Sequence, residues 1–191
     1  VFHDPGDVLG LSDTARKFMA GILHHAPEFT AVTNQLINSY KRMVSGYESP
    51  VYVSWARNNR SALVRVPIHK AGKASSTRIE YRALDSAANP YLAYSVILAA
   101  GLKGIEDGYE LPDEADENLW SLNREQARKA GLQRLPQDLR EALDLMEESE
   151  LVRDVLGEHI FEWFLRNKRE EWEAYQRHVT PYEIERYLPI W

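Results

Sequence analysis

The sequence predicts a mixed α+β domain, a few strands followed by a mainly helical region, on three observations. At 191 residues with 44% hydrophobic content, the chain is long enough to bury one sizeable core, which argues against a disordered or fibrous polypeptide. Two stretches, Ser61 to Ile68 and Thr77 to Leu84, alternate with the period of two that suits a strand. Apolar residues at three- and four-residue spacing recur near the start and dominate after residue 89.

Ser12 to Ala26 reads as an amphipathic helix, with Ala15, Phe18, Met19, Ile22, Leu23 and Ala26 on one face. Ser12 or Asp13 caps its start, and Pro27 marks its end. The neighbours His24 and His25 read as surface and boundary residues rather than ligands, because adjacent helical positions point in different directions. Asn38 to Pro50 is a polar loop punctuated by Gly46 and Pro50, the kind of segment that carries function on a rigid scaffold.

In the first strand candidate, Ala62, Val64 and Val66 alternate with Leu63, Arg65 and Pro67. In the second, Ile79 and Tyr81 alternate with Arg78, Glu80 and Arg82, which places those three charges on one face. Asn89-Pro90 opens a helix over Tyr91 to Ile105 that is apolar almost all round and reads as buried, with Gly101 and Gly104 weakening its end. The acidic run Glu106 to Glu117 is expected to be a solvated loop.

Leu135-Pro136 begins a helix through Met146, and Ser149 caps a short one. Glu158 to Arg177 forms a long amphipathic helix with Phe161, Phe164, Leu165, Lys168, Trp172 and Tyr175 along one side. The segment from His178 to Trp191 restarts at Thr180-Pro181, and its Tyr, Leu and Trp content predicts packing on the body or on a partner.

Composition narrows the function. There are no cysteines, which excludes thiolate nucleophiles and Cys-based zinc sites. The longest strongly apolar stretch, Tyr91 to Leu102, is too short to span a bilayer, and the chain reads as soluble and cytoplasmic. The opening Val1-Phe2-His3 carries no initiator Met, and the expectation is a segment cut from a longer polypeptide.

The formal charge of −6 conceals an asymmetry, since Asn38 to Asp85 holds nine Lys/Arg against three Asp/Glu. Such a segment suits a polyanion such as ATP, or nucleic acid, or a plain solvated surface. Nucleic acid ranks last because no aromatic or Gly-rich pattern accompanies the charges. Within the segment, Arg78-x-Glu80-x-Arg82 has two readings. It is a solvent-facing strand whose charges pair across one face, or a carboxylate aimed at a metal between guanidiniums aimed at phosphate or carboxylate.

Three blocks in order, NSYKRMVSGYESP at Asn38 to Pro50, RSALVRVP at Arg60 to Pro67, and STRIEYRALDSAANPYLAY at Ser76 to Tyr94, resemble the class I glutamine synthetases. The resemblance covers the whole chain, most specifically residues 38 to 94. It implies the C-terminal part of a catalytic domain, with a few antiparallel strands followed by a mainly helical region. Residues 178 to 191 would be a tail that docks in the oligomer, expected to be a homododecamer of two rings. The implied activity is ATP-dependent ligation of ammonia to the γ-carboxylate of L-glutamate through γ-glutamyl phosphate, with Mg²⁺ or Mn²⁺, and with no role for nucleic acid or membrane.

Carried over residue by residue, Arg42 matches a contact to glutamate, and Glu48 the flap glutamate that shields the intermediate and takes a proton from ammonium. Arg60 and Arg65 match arginines facing the ATP phosphates and the transferred phosphoryl group, with Arg60 also near glutamate. Arg78 resembles a nucleotide-side arginine, Glu80 a ligand of the metal bridging the phosphates, and Arg82 an arginine on glutamate's carboxylate. The chemistry suits these types. An anion attacking an anion needs preorganised positive charge, and arginine grips phosphate or carboxylate oxygens bidentately without deprotonating. The guanidiniums are therefore expected to converge with Glu80 on one cavity.

The family's other metal ligands are expected upstream of Val1, as paired glutamates and a His-containing block, so this segment alone is expected to lack catalysis. Ser45 stands where the family usually has Pro, and Trp55 to Arg60 departs from the usual block, which leaves the adenine-side contacts open. Ser75 sits where a nucleotide-contacting Lys is often found. Trp120 replaces the tyrosine that some members adenylylate, and indole offers no hydroxyl for that modification. His69, Lys70 and Lys73 read as loop surface. Two alternatives stand beside the first reading: a γ-glutamyl amine or polyamine ligase of the same fold, and a non-catalytic assembly module.

Overall fold

Ser12 ends an extended segment and its hydroxyl accepts the Ala15 N–H, so helix α1 (Asp13–Thr33) begins at the cap the sequence marks. The computed structural model describes residues 1–44, 49–57, 59–67, 76–115, 119, 122 and 124–190. Pro27 does not end α1, which runs on to Thr33. Proline removes the bond to the Leu23 carbonyl, a cost of about 3 kcal/mol in a helix interior. Burial beyond the proline offsets it, with Phe29 at 0% and Val32 at 1% exposure, and the Thr30 hydroxyl donates to Ala26 O at 2.6 Å.

The sheet is three short strands in the order β1 (Trp55–Ala56), β2 (Val64–Arg65), β3 (Glu80–Tyr81). The β1–β2 pair is parallel and the β2–β3 pair antiparallel, with Val64 opposite Tyr81 and Arg65 opposite Glu80. The eight-residue strands read from periodicity shrink to two paired residues each, although the Arg82 N–H still donates to Leu63 O. Ala62, Leu63 and Val64 are all fully buried, so this segment is covered on both faces and does not alternate inside and out.

Asn89 accepts the Tyr91 and Leu92 N–H groups and Pro90 fills the first turn of helix α2 (Pro90–Glu106), as the sequence predicts. Gly101 and Gly104, expected to weaken the helix, instead let it press against α1. A methyl group at Gly104 would strike the Lys17 carbonyl and stand 2.6 Å from Gly21 Cα. Contrary to expectation, α2 is buried on one side only: Val96 and Ala100 are covered, whereas Tyr91, Tyr94, Leu98 and Leu102 are exposed.

After α2 the acidic stretch lies along β1 instead of standing free. The Ala115 N–H donates to Trp55 O, the Trp55 indole N–H donates to Pro112 O, and Glu114 holds Arg57 at 2.9 Å. A short helix α3 (Arg124–Lys129) follows that periodicity did not indicate. Leu135 then pairs as extended chain, its N–H donating to Val51 O, so α4 (Leu139–Glu147) starts later than predicted, on an Asp138 cap.

Ser149 caps α5 (Glu150–Gln176), which joins two helical stretches across Gly157. Gly157 sits at φ 72°, a left-handed geometry that suits a residue without Cβ. Phe161 and Leu165 are buried as predicted. Thr180 and Glu183 form a capping box that starts α6 (Pro181–Tyr187). The main core gathers where α1 packs on α2 and α4, and α5 on α2 and α4, around Phe29 and Phe161. Helix α6 buries none of its residues, so the packing of the tail on this body that composition predicts is not seen among its described residues. Among the described residues, no helix is long and apolar enough to cross a membrane.

Candidate active site

The β2–β3 register sets the site. Antiparallel pairing puts Arg65 directly opposite Glu80, and the Arg65 Nη1 donates to Glu80 Oε2 at 3.0 Å. Arg78, two residues before Glu80 on the same face, donates to Oε1 from Nε at 3.1 Å and from Nη2 at 2.9 Å. One carboxylate thus sits between two guanidiniums, and the cluster keeps an excess of one positive charge. Arg65 and Glu80 are about one-third exposed and Arg78 more so, with side-chain exposures of 29%, 31% and 57%.

Two atoms in this cluster remain ready for a ligand. The Arg65 Nε is buried and makes no hydrogen bond among the described residues, a state that costs about 1–3 kcal/mol for a desolvated donor. Glu80 Oε1 takes both bonds from Arg78 while Oε2 takes one from Arg65, so Oε2 retains an acceptor position. A single carboxylate oxygen on an otherwise cationic patch fits a hard cation held mainly by phosphate oxygens and water, as Mg²⁺ typically is.

The other predicted residues stand apart from this cluster. Arg42 follows the 3₁₀ turn Ile37–Lys41 and donates from Nη2 to the Ala83 and Leu84 carbonyls at 3.3 and 3.4 Å, just past β3. It also faces Asp85: burial raises that carboxyl, but bonds from Ser39 and the Ala87 N–H and the Arg42 charge hold it below the usual carboxylate range. Arg82 is half-buried beside β3, and Arg60 is exposed on the turn before β2. Glu48, with Ser45, His69, Lys70, Lys73, Ser75 and Trp120, lies outside the described residues.

The predicted convergence is therefore partial. Arg65, Arg78 and Glu80 meet; Arg42 borders the same strand through backbone carbonyls; and the meeting point is an open face rather than an enclosed cavity. A cleft of about 340 Å³ lined by His3, Asp7, Arg57, Val66 and Pro67 includes none of the six described site residues.

Sequence reasoning missed a second cluster on α1. His25 is buried, with Nδ1 3.0 Å from Glu28 Oε1, and the His24 and His25 ring centroids are 4.7 Å apart. The overlooked signal was His24-His25-x-x-Glu28, in which both imidazoles stand three or four residues from one carboxylate and so share its face.

The edge strand β3 thus carries Glu80 between Arg65 and Arg78 beside a helical body. Residues 1–187 match the family described as glutamine synthetase, catalytic domain, and the chain belongs to that family, as the C-terminal part of a bacterial-type catalytic domain. It is 57% identical over 189 residues to a glutamine synthetase of Mycolicibacterium smegmatis, and 45% identical over 187 residues to one of Staphylococcus aureus. The alignments take in 99% and 98% of this chain but 42% and 41% of those relatives. A solved structure described as a GmaS/ADP complex superposes with a TM-score of 0.83 at 35% identity, over 98% of this chain and 42% of that one.

Proposed function

We propose that the whole protein carrying this chain is a glutamate–ammonia ligase of the cytoplasm, coupling ATP hydrolysis to amide formation. The observation that carries this reading is the cross-strand Arg65–Glu80–Arg78 cluster, with a buried Arg65 Nε and one acceptor position left on Glu80 Oε2. The ADP bound to a relative of 35% identity supports a nucleotide as the ligand.

In the proposed reaction, an oxygen of glutamate's γ-carboxylate attacks the γ-phosphorus of ATP. The P–O bond to ADP breaks, and γ-glutamyl phosphate forms. Ammonia then adds to the acyl carbon, phosphate leaves with the C–O bond pair, and a proton passes from the ammonium nitrogen to a base, the role assigned to Glu48. Arg65 and Arg78, together with Arg60, stabilise charge on the phosphoryl oxygens; each such donor contributes about 3 kcal/mol by analogy with single oxyanion donors. Arg42 and Arg82 hold glutamate, and Glu80 holds Mg²⁺ or Mn²⁺. When bound, the cation neutralises phosphate charge and orients the oxygens.

The exposed stretch within the tail, residues 181–190, supports an oligomer in which α6 docks on another copy, in the ring assembly expected for the family. A γ-glutamyl amine ligase uses the same nucleotide and glutamate contacts, and is the second reading because the ADP-bound relative is described as GmaS. Phosphate release measured with glutamate, ATP and either ammonia or a panel of primary amines separates them. Ammonia-dependent release supports the first reading, and release only with amines replaces it with the second.

A further inference from the structure

His24, His25 and Glu28 each offer one ligand atom, and these atoms lie within 4.8 Å of one another. We propose that they form a site for a borderline divalent ion such as Zn²⁺, separate from the strand-borne cluster, at the mouth of the cleft between α1 and the start of α5. Two imidazoles and a carboxylate are a donor set that suits Zn²⁺, Co²⁺ or Ni²⁺ better than Mg²⁺.

The surrounding contacts orient these donors. Glu28 Oε2 accepts the Ser149 hydroxyl at 2.6 Å, fixing the carboxylate with Oε1 turned toward His25. The His25 Nε2 lies 3.4 Å from the Tyr109 hydroxyl and its ring stacks on that phenol at 5.9 Å, so Nδ1 is the nitrogen presented to the metal. Burial alone would raise the Glu28 carboxyl, but bonds from His25 and Ser149 and the nearby imidazoles hold it below the usual carboxylate range.

The cleft itself, about 670 Å³, adds the carboxylates of Glu148, Glu150 and Asp154 against the ammonium of Lys103, a field that draws cations inward. A tetrahedral ion with bonds of about 2.0–2.1 Å spaces its donors about 3.4 Å apart. The His25–Glu28 pair, at 3.0 Å, is already near that spacing, and because all three atoms lie within 4.8 Å, no pair must close by more than about 1.4 Å. The ion displaces the proton shared between Nδ1 and Oε1 and leaves a fourth position to water.

The test is calorimetric titration of the full protein with ZnCl₂ in excess Mg²⁺, which occupies hard-oxygen sites, followed by CoCl₂ as a visible-absorption probe. One Zn²⁺ per chain is expected, with Co²⁺ bands of a nitrogen-containing site. His24→Ala alters an exposed side chain and should weaken that binding at least ~10-fold with unchanged circular dichroism, and Glu28→Gln should do likewise. No Zn²⁺ uptake by the wild type, or equal affinity in folded His24→Ala, overturns the proposal.

Discussion

Helices α1 and α6 both begin on a hydroxyl cap, Ser12 and Thr180, and both carry apolar side chains, yet their surroundings are opposite. Most of α1 is buried against α2 and α4, and Glu28 ties it to the Ser149 cap of α5. In α6 nothing is buried, and Val179, Tyr182, Ile184, Tyr187, Leu188 and Ile190 face outward on and around it. A cap fixes where a helix begins, but a seven-residue helix is marginal in water without packing. Helix α1 is held by burial within this chain, whereas α6 is left to its own cap, and the proposed docking on another copy would supply the packing it lacks.

The largest expected effect falls on assembly. Deleting Thr180 to Trp191 from the full protein should reduce its particle mass by light scattering while changing the unfolding free energy of the remaining body by less than ~0.5 kcal/mol. An unchanged mass would remove the tail from the interface and break the comparison.

Next in size is the α1–α2 crossing. Helix propensity favours Ala over Gly by about 1 kcal/mol, but a methyl group at Gly104 meets the backbone of Lys17 and Gly21. Gly104→Ala should therefore destabilise by about 2 kcal/mol in urea titrations, against the propensity trend. A neutral or stabilising result would mean that the two backbones have room to separate.

The smallest effect sharpens the polar side of the comparison. Glu28→Gln should cost about 1 kcal/mol at pH 7, as a charged hydrogen bond becomes a neutral one. Because the folded carboxyl titrates below its ordinary 4.5, its contribution is complete above that pH and fades as the pH falls through the folded value. Wild type and variant should therefore converge in stability in thermal melts as the pH falls below the folded carboxyl's lowered value, whereas a gap constant with pH would contradict the ionic role of Glu28.

What the sequence disclosed was mainly local. Ser12, Asn89-Pro90, Ser149 and Thr180 each mark a helix start because capping depends on residues one to three positions away. Pro27 misled because the cost of a proline is local while the burial of Phe29 that outweighs it is tertiary. The two-residue β1 was illegible because two paired residues leave no periodicity to read, and its parallel pairing with Val64 and Arg65 appears only in the fold. Gly101 and Gly104 read as helix breakers because a close crossing shows only once α1 lies beside them.

The candidate site was legible through spacing and resemblance together. Period two put Arg78 beside Glu80, and the resemblance singled out Arg65, whose place opposite Glu80 depends on register. The spread of Arg42, Arg60 and Arg82 around that pair could not be read from a one-dimensional pattern. The His24–His25–Glu28 cluster was passed over because the two histidines were weighed against each other, and not each against Glu28.

The most direct measurement concerns Glu80 itself, made on the full protein with ATP, glutamate and the preferred nitrogen donor. If this carboxylate and its flanking arginines act on nucleotide phosphates, Glu80→Gln should lower phosphate release at least ~100-fold while circular dichroism and particle mass stay unchanged. Turnover within a few-fold of wild type would show that the Arg65–Glu80–Arg78 cluster is only a set of surface ion pairs.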